Sequence, residues 1–228
     1  MFKNVNCYTT GFDMPIRKIP KNFRNVTGVA ASRKAVGPAQ FESTLERDFL
    51  ALLEFSLEVE HFEVQPLKIE WRDAQDTSRS YTPDVLVRFK PELNRKPWLC
   101  EVKYRADIKK HWVELRPKLR QGVHLARQNG WRFLLITEVE VRTTLLENVR
   151  FLTSFKTRDI ADSESAQLLK QLQVACTSTP AALVQILSSD RQPQAEWLPV
   201  LWHLIAHHRV GIDLELMLKM ESPIWSLS

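Results

Sequence analysis

A chain of 228 residues holds one domain or two small ones, and its 44% hydrophobic and 26% charged residues exclude a disordered tail, a collagen-like repeat and a membrane channel. The net charge of +5 is unevenly spread: seven basic residues against one acid in 1–41, eight against thirteen in 42–101, nine against two in 102–132, and four against eight in 159–228. Two basic blocks around an acidic one fit a polyanion held beside a carboxylate-rich centre.

Residues 1–41 read as a basic N-terminal arm, because Gly11, Pro15, Pro20, Gly28, Gly37 and Pro38 interrupt any periodicity. Leu45, Phe49, Leu52, Leu53 and Leu57 then recur at helical spacing and predict an amphipathic helix over 42–57. Residues 59–71 alternate, stop at Pro66 and resume, as in two strands, and the polar run 72–80 reads as a hairpin connection. Strands are expected over 81–90 and 98–105, the second with Leu99, Glu101 and Lys103 on one face. A charged helix is expected over 109–129, closed by Asn129-Gly130 and kinked or split at Pro117. The apolar run in 131–141 suits a central strand covered on both faces.

The composition shifts after about residue 158, which divides the chain into 42–158 and 159–228. Residues 163–175, 180–188 and 194–208 read as three short helices, and Ile212, Leu214, Leu216 and Leu218 alternate like a strand over 212–220. Three helices followed by a β-ribbon is winged-helix order.

The chemistry concentrates in Asp84, which follows Pro83 at the head of one strand, and in Glu101 and Lys103 on the next. Carboxylates at such positions suit Mg²⁺ (or Mn²⁺), because hard divalent ions take oxygen ligands and leave room for water and phosphate. Lys103, one pleat repeat from Glu101, is placed to orient the attacking water or to neutralise the transition state of phosphodiester hydrolysis. A helix bearing acids precedes the Pro-Asp strand, and the αβββαβ order is that of the PD-(D/E)xK (restriction-endonuclease-like) nucleases, an α/β fold with a mixed-sheet core.

Four runs, 42-ESTLERDFLALLEF-55, 65-QPLKIEW-71, 81-YTPDVLV-87 and 99-LCEVKYR-105, resemble in sequence and order the TnsA endonucleases of heteromeric bacterial transposons. The resemblance spans about residues 41–141. It implies a metal-dependent DNA endonuclease whose site combines a helical Glu, matched by Glu46, with Asp84, Glu101 and Lys103; Glu46, Asp84 and Glu101 would be the metal ligands. Glu42, one helical turn earlier, is the rival for the helical role. Gln65 is expected to shape the site. The resemblance further implies cleavage of the 5′ strand of double-stranded DNA at transposon ends during cut-and-paste transposition. It implies a DDE transposase (TnsB) and an ATPase regulator (TnsC) as partners, and a winged-helix-like C-terminal domain. A stand-alone restriction or repair nuclease and a non-catalytic DNA-bridging adaptor are the competing readings.

Lys109, Lys110, Arg116, Lys118, Arg120 and Arg127 are the expected DNA-binding side chains of the basic helix. The acidic last seventy residues, with Trp197 and Trp202 as apolar anchors, suit a protein partner better than DNA. His203, His207 and His208 are expected to be surface or packing residues, and Cys100 a small buried hydrophobe. Three scattered cysteines and no visible secretory signal or membrane span predict a reducing compartment, a bacterial cytoplasm, with nucleoid association when active.

Overall fold

The computed structural model describes residues 26–188 and 191–227, with the backbone alone for 191–195. Most of the expected basic arm, residues 1–25, lies outside the described residues. Two compact units divide the chain at Glu138/Val139, about twenty residues before the shift in composition.

The first unit starts with a short antiparallel hairpin, β1 (Gly28–Ala30) with β2 (Ala39–Phe41). Helix α1 (Thr44–Phe55) follows, capped by Ser43, whose hydroxyl accepts the Glu46 N–H at 3.1 Å. Its apolar face buries Leu45, Phe49, Leu50 and Leu53. Strand β3 (Val59–Val64) ends before Pro66. Strands β4 (Ile69–Arg72) and β5 (Ser78–Tyr81) pair antiparallel as a separate ribbon, so the expected connection 72–80 is itself half strand. Next come β6 (Val85–Phe89) and β7 (Trp98–Val102), helices α2 (Arg105–Lys110) and α3 (Trp112–Gln128), and β8 (Arg132–Ile136).

The main sheet runs in the order β3-β6-β7-β8. β6 runs antiparallel to both of its neighbours, β3 and β7, and β8 lies parallel to β7 because helices α2 and α3 carry the chain back across the sheet. Val85, Val87, Cys100 and Val102 are each at most 2% exposed and fill one face. On the other, Leu86 and Leu99 pack with Ala126 of α3, Trp131 and Phe133. Gly122 allows this approach: a Cβ there would stand 2.5 Å from the Phe133 ring.

Two expectations for this region are corrected. β8 is an edge strand, and only Ile136 of it is buried; α3 covering one face accounts for its apolar run. Pro117 lies inside an unbroken α3, and the helical break falls at His111. Proline at 117 leaves the Val113 carbonyl without its helical donor, but Val113 is 85% exposed and water can serve it.

The second unit holds α5 (Thr144–Lys156), which follows the short helix α4 (Glu138–Val141). Then come α6 (Asp162–Ala175), β9 (Thr177–Ser178), α7 (Pro180–Leu187), α8 (Arg191–Ala206), β10 (Val210–Ile212) and β11 (Ile224–Ser226). The three strands form an antiparallel sheet in the order β10-β11-β9. Leu168, Leu172, Leu183, Leu201, Leu204 and Ile224 are fully buried and form the core of this unit.

The strand expected over 212–220 is instead the end of β10 followed by a loop. Asn148 of α5, 2% exposed, holds that loop: its Nδ2 donates to the carbonyls of Leu214 and Leu216 at 2.8 Å, and its Oδ1 accepts the Leu218 N–H at 3.3 Å. The leucine alternation belongs to a clasped loop. Trp202 is also corrected from interface anchor to core residue, 7% exposed and edge-on to Phe151 at 5.3 Å. His203 Nδ1 and His207 Nε2 lie within hydrogen-bonding distance of the Phe155 and Lys156 carbonyls, at 2.9 and 3.0 Å. Among the described residues, no helix is long and apolar enough to cross a membrane.

Candidate active site

Strand register assembles the site. Val85 faces Cys100 across β6 and β7, so the preceding Asp84 comes opposite Glu101 on the same side of the sheet. Asp84 is fixed by its main chain, which donates to the Cys100 carbonyl and accepts the Gln65 N–H at 2.8 Å. Its side-chain Oδ2 accepts the Val102 N–H at 2.7 Å. Lys103 leaves β7 with its own N–H bonded to the carbonyl of Ile136 on β8. Its Nζ then lies 3.6 Å from Glu101 Oε1 and 3.9 Å from Asp84 Oδ2.

Glu101 is the most enclosed member, 1% exposed. Tyr81, at the end of β5, donates its hydroxyl to Oε2 at 2.6 Å, and Lys118 of α3 donates to Oε1 at 2.9 Å while lying 5.0 Å from the Tyr81 ring centre. Burial, reinforced by Glu101, raises the Tyr81 pKa, so this phenol stays protonated and donating.

The electrostatics reflect two carboxylates on adjacent buried strands. Burial, then the charge of Glu101, pushes the Asp84 pKa up to about 8 despite the opposing pull of Lys103. For Lys103, burial works toward deprotonation, but Asp84, Glu101 and Glu46 together outweigh it and raise the ammonium above the ordinary lysine range. Burial raises the Cys100 thiol as well, in keeping with a small residue packed in the core.

Glu46 is half-buried and bends back over the start of α1. Its Oε2 accepts the Glu42 N–H at 2.7 Å and its Oε1 the Ser43 hydroxyl at 2.9 Å, a variant of the capping box. Burial raises its pKa, and Lys103 and Asp84 both act on it or feel it electrostatically. A hydrogen bond of 3.0 Å between Thr44 Oγ1 and Tyr104 Oη ties the first turn of α1 to the chain just beyond Lys103. Glu42 accepts from Gln65 Nε2 at 3.3 Å instead. Gln65 has a left-handed backbone, φ +50°, and its buried Oε1 has no hydrogen-bond partner among the described residues.

Asp84, Glu101 and Lys103 are thus brought together, while Glu46 is engaged in the helix cap. Among the described residues, no three His, Cys, Asp or Glu side chains converge as ligands of one ion. The donor set nonetheless fits a hard divalent cation: two adjacent carboxylates, of which Asp84 is held up in pKa by burial and then by Glu101, beside a Lys103 side chain still 30% exposed. Of the six basic residues expected on DNA, Lys109, Lys110, Arg116, Arg120 and Arg127 are exposed. Arg116, Arg120 and Arg127 share one flank of α3, lining a groove with Leu119, Val123 and Phe133. Lys118 lies on the opposite flank, against Glu101. Tyr81 and the second contact of Lys118 escape sequence reading; a tyrosine two residues before Pro83 was the one local signal.

Comparison with known families agrees with this layout. The family described as TnsA-like endonuclease N terminal matches residues 56–138, and that described as TnsA endonuclease C terminal matches residues 140–214. Asp84, Glu101, Lys103 and Lys118 fall within the first match, whereas Glu42 and Glu46 precede it. No curated protein matches the chain. With both halves of the family pattern present in order and abutting where the two units divide, the chain belongs to the TnsA endonuclease family.

Proposed function

We propose that this chain is a divalent-cation-dependent DNA endonuclease that cuts the 5′ strand at transposon ends, beside a DDE transposase (TnsB) acting on the 3′ strand. The observation that carries the reading is the convergence of Asp84, Glu101 and Lys103 within the matched endonuclease region. Asp84 and Glu101 would hold the cation, with Glu46 as a third acid once it leaves the cap. When bound, Mg²⁺ or Mn²⁺ supplies Lewis acidity toward the phosphodiester and lowers the pKa of water.

The chain's own residues supply the rest. Lys103, held cationic by its carboxylate neighbours, stabilises negative charge developing on the scissile phosphate. The Val102 N–H fixes Asp84 Oδ2, leaving Oδ1 as its free ligand atom, and Tyr81 orients Glu101. Lys109 and Lys110, exposed on α2, would meet backbone phosphates.

The second unit is read as winged-helix-like. Support comes from the order α6-β9-α7-α8-β10-β11 and from the sheet order β10-β11-β9. Its acidic balance favours a protein partner, by resemblance the ATPase regulator TnsC. Duplexes carrying a transposon end, labelled on either strand and incubated with TnsB, TnsC and Mg²⁺ or Mn²⁺, test the function. The 5′-strand cuts are expected to require this chain and to vanish with EDTA, while the 3′-strand cuts of TnsB persist when Asp84→Ala replaces wild type; cation-independent or 3′-strand cleavage by this chain would refute the reading.

A further inference from the structure

Glu101 carries more cationic contact than a lone metal ligand needs. Lys103 occupies the expected position two residues on, yet it stands 3.6 Å from Oε1, whereas Lys118 reaches the same oxygen at 2.9 Å. The other oxygen is taken by Tyr81. Lys118 arrives from a different element, α3, and on the opposite flank from Arg116, Arg120 and Arg127. Its side chain is 27% exposed while the carboxylate is 1% exposed, so a flexible stem runs from solvent to a buried charge. A pair of that kind contributes little to stability, because desolvation offsets the attraction.

We infer that Lys118 is a built-in stand-in for the divalent cation: it neutralises Glu101 in the cation-free protein and must yield Oε1 when the ion binds. The inference rests on the reading of Asp84 and Glu101 as cation ligands. Lys118 acts through Glu101 and is a positioning residue. Once displaced, its ammonium needs another anion, a role that a phosphate of the bound strand would fill. The enzyme then exchanges one counter-cation for another, and Glu101 is never left as an unpaired buried charge.

Calorimetric titration of the full chain with Mn²⁺ tests this without recourse to activity. Lys118→Met should bind Mn²⁺ about tenfold more tightly than wild type, the size expected on removing a competing charge-assisted hydrogen bond, and should melt at a lower temperature without cation. A merely structural lysine would weaken Mn²⁺ binding when removed. Equal or weaker binding by Lys118→Met overturns the inference alone; absence of Mn²⁺ binding by both proteins overturns the ligand reading and this inference with it. Should the variant fail to fold, a wild-type crystal structure with Mn²⁺ decides. Lys118 Nζ should have left Glu101 Oε1, and a bond kept near 2.9 Å with the ion in place overturns the proposal.

Discussion

The two units each bury a polar side chain that organises its surroundings, and they do so with opposite electrostatic outcomes. Asn148 in the second unit is neutral, and both ends of its amide are matched by backbone groups of one loop. The site of the first unit sets Asp84 and Glu101 against one another across adjacent strands, and Asp84 is driven far from its ordinary pKa. A neutral, satisfied network fixes a chain segment and asks nothing further. A network of like charges retains a cost that an incoming cation would relieve, in keeping with the ligand role proposed for Asp84 and Glu101.

Breaking the charged network should have the larger effect on function. Asp84→Ala and Glu101→Ala are each expected to lower 5′-strand cleavage on the order of a thousandfold or more, the range seen when preorganised groups are removed from a reacting centre. Lys103→Ala should be nearly as severe in rate while still binding Mn²⁺ in calorimetry. Circular dichroism should show all three folded; retained cleavage in either carboxylate variant would dismantle the site.

Breaking the neutral network should instead damage stability. Asn148→Ala leaves two carbonyls and one N–H of the 214–218 loop without partners, at a cost of about 2–4 kcal/mol. Urea denaturation should register this loss while metal affinity stays at the wild-type value. A variant as stable as wild type would show that water serves these groups equally well.

Between the two acids competing for the role expected of the helix, Glu46→Gln is expected to reduce the cleavage rate roughly a hundredfold and Glu42→Gln, at a position that precedes the cap, only a few-fold. Single-turnover kinetics at saturating Mg²⁺ decide it, and the reverse ranking would move the helical role to the acid bonded to Gln65.

The last effect sought is on the pH dependence of stability without cation. The folded-state pKa of Asp84 is raised to about 8, so its contribution to stability is full below the unfolded value near 4 and is lost as the pH rises toward 8. Melting temperature should therefore fall between pH 5 and pH 8 in EDTA, and Asp84→Asn should flatten that fall. An unchanged slope would mean that the strain resides elsewhere.

The parts legible in the sequence are those set by local period and spacing. Alternation located the strands, and two-residue spacing placed Glu101 and Lys103 on one face. What decides the rest is contact between distant segments. Lys118 falls in a charged helix whose wheel does not reveal that one flank meets the sheet at Glu101. Tyr81 reaches Glu101 because β5 forms a ribbon outside the main sheet. The leucines at 214, 216 and 218 alternate like a strand, and only Asn148, some seventy residues earlier, makes them a loop. Pro117 misleads in the other direction: a residue poor for helices in general is tolerated where the carbonyl it deprives faces water.

The attachment of Lys103 to β8 has a dynamic consequence. The lysine's backbone hangs from the Ile136 carbonyl on a strand that, among the described residues, is paired along one side. Edge elements open at free energies well below that of global unfolding, in excursions that leave the core intact. Each such opening slackens the tether of the lysine while Asp84 and Glu101, on β6 and β7, keep their places. Warming should thus yield a folded but inactive population before the cooperative melt, seen as cleavage activity lost at a lower temperature than the circular dichroism signal.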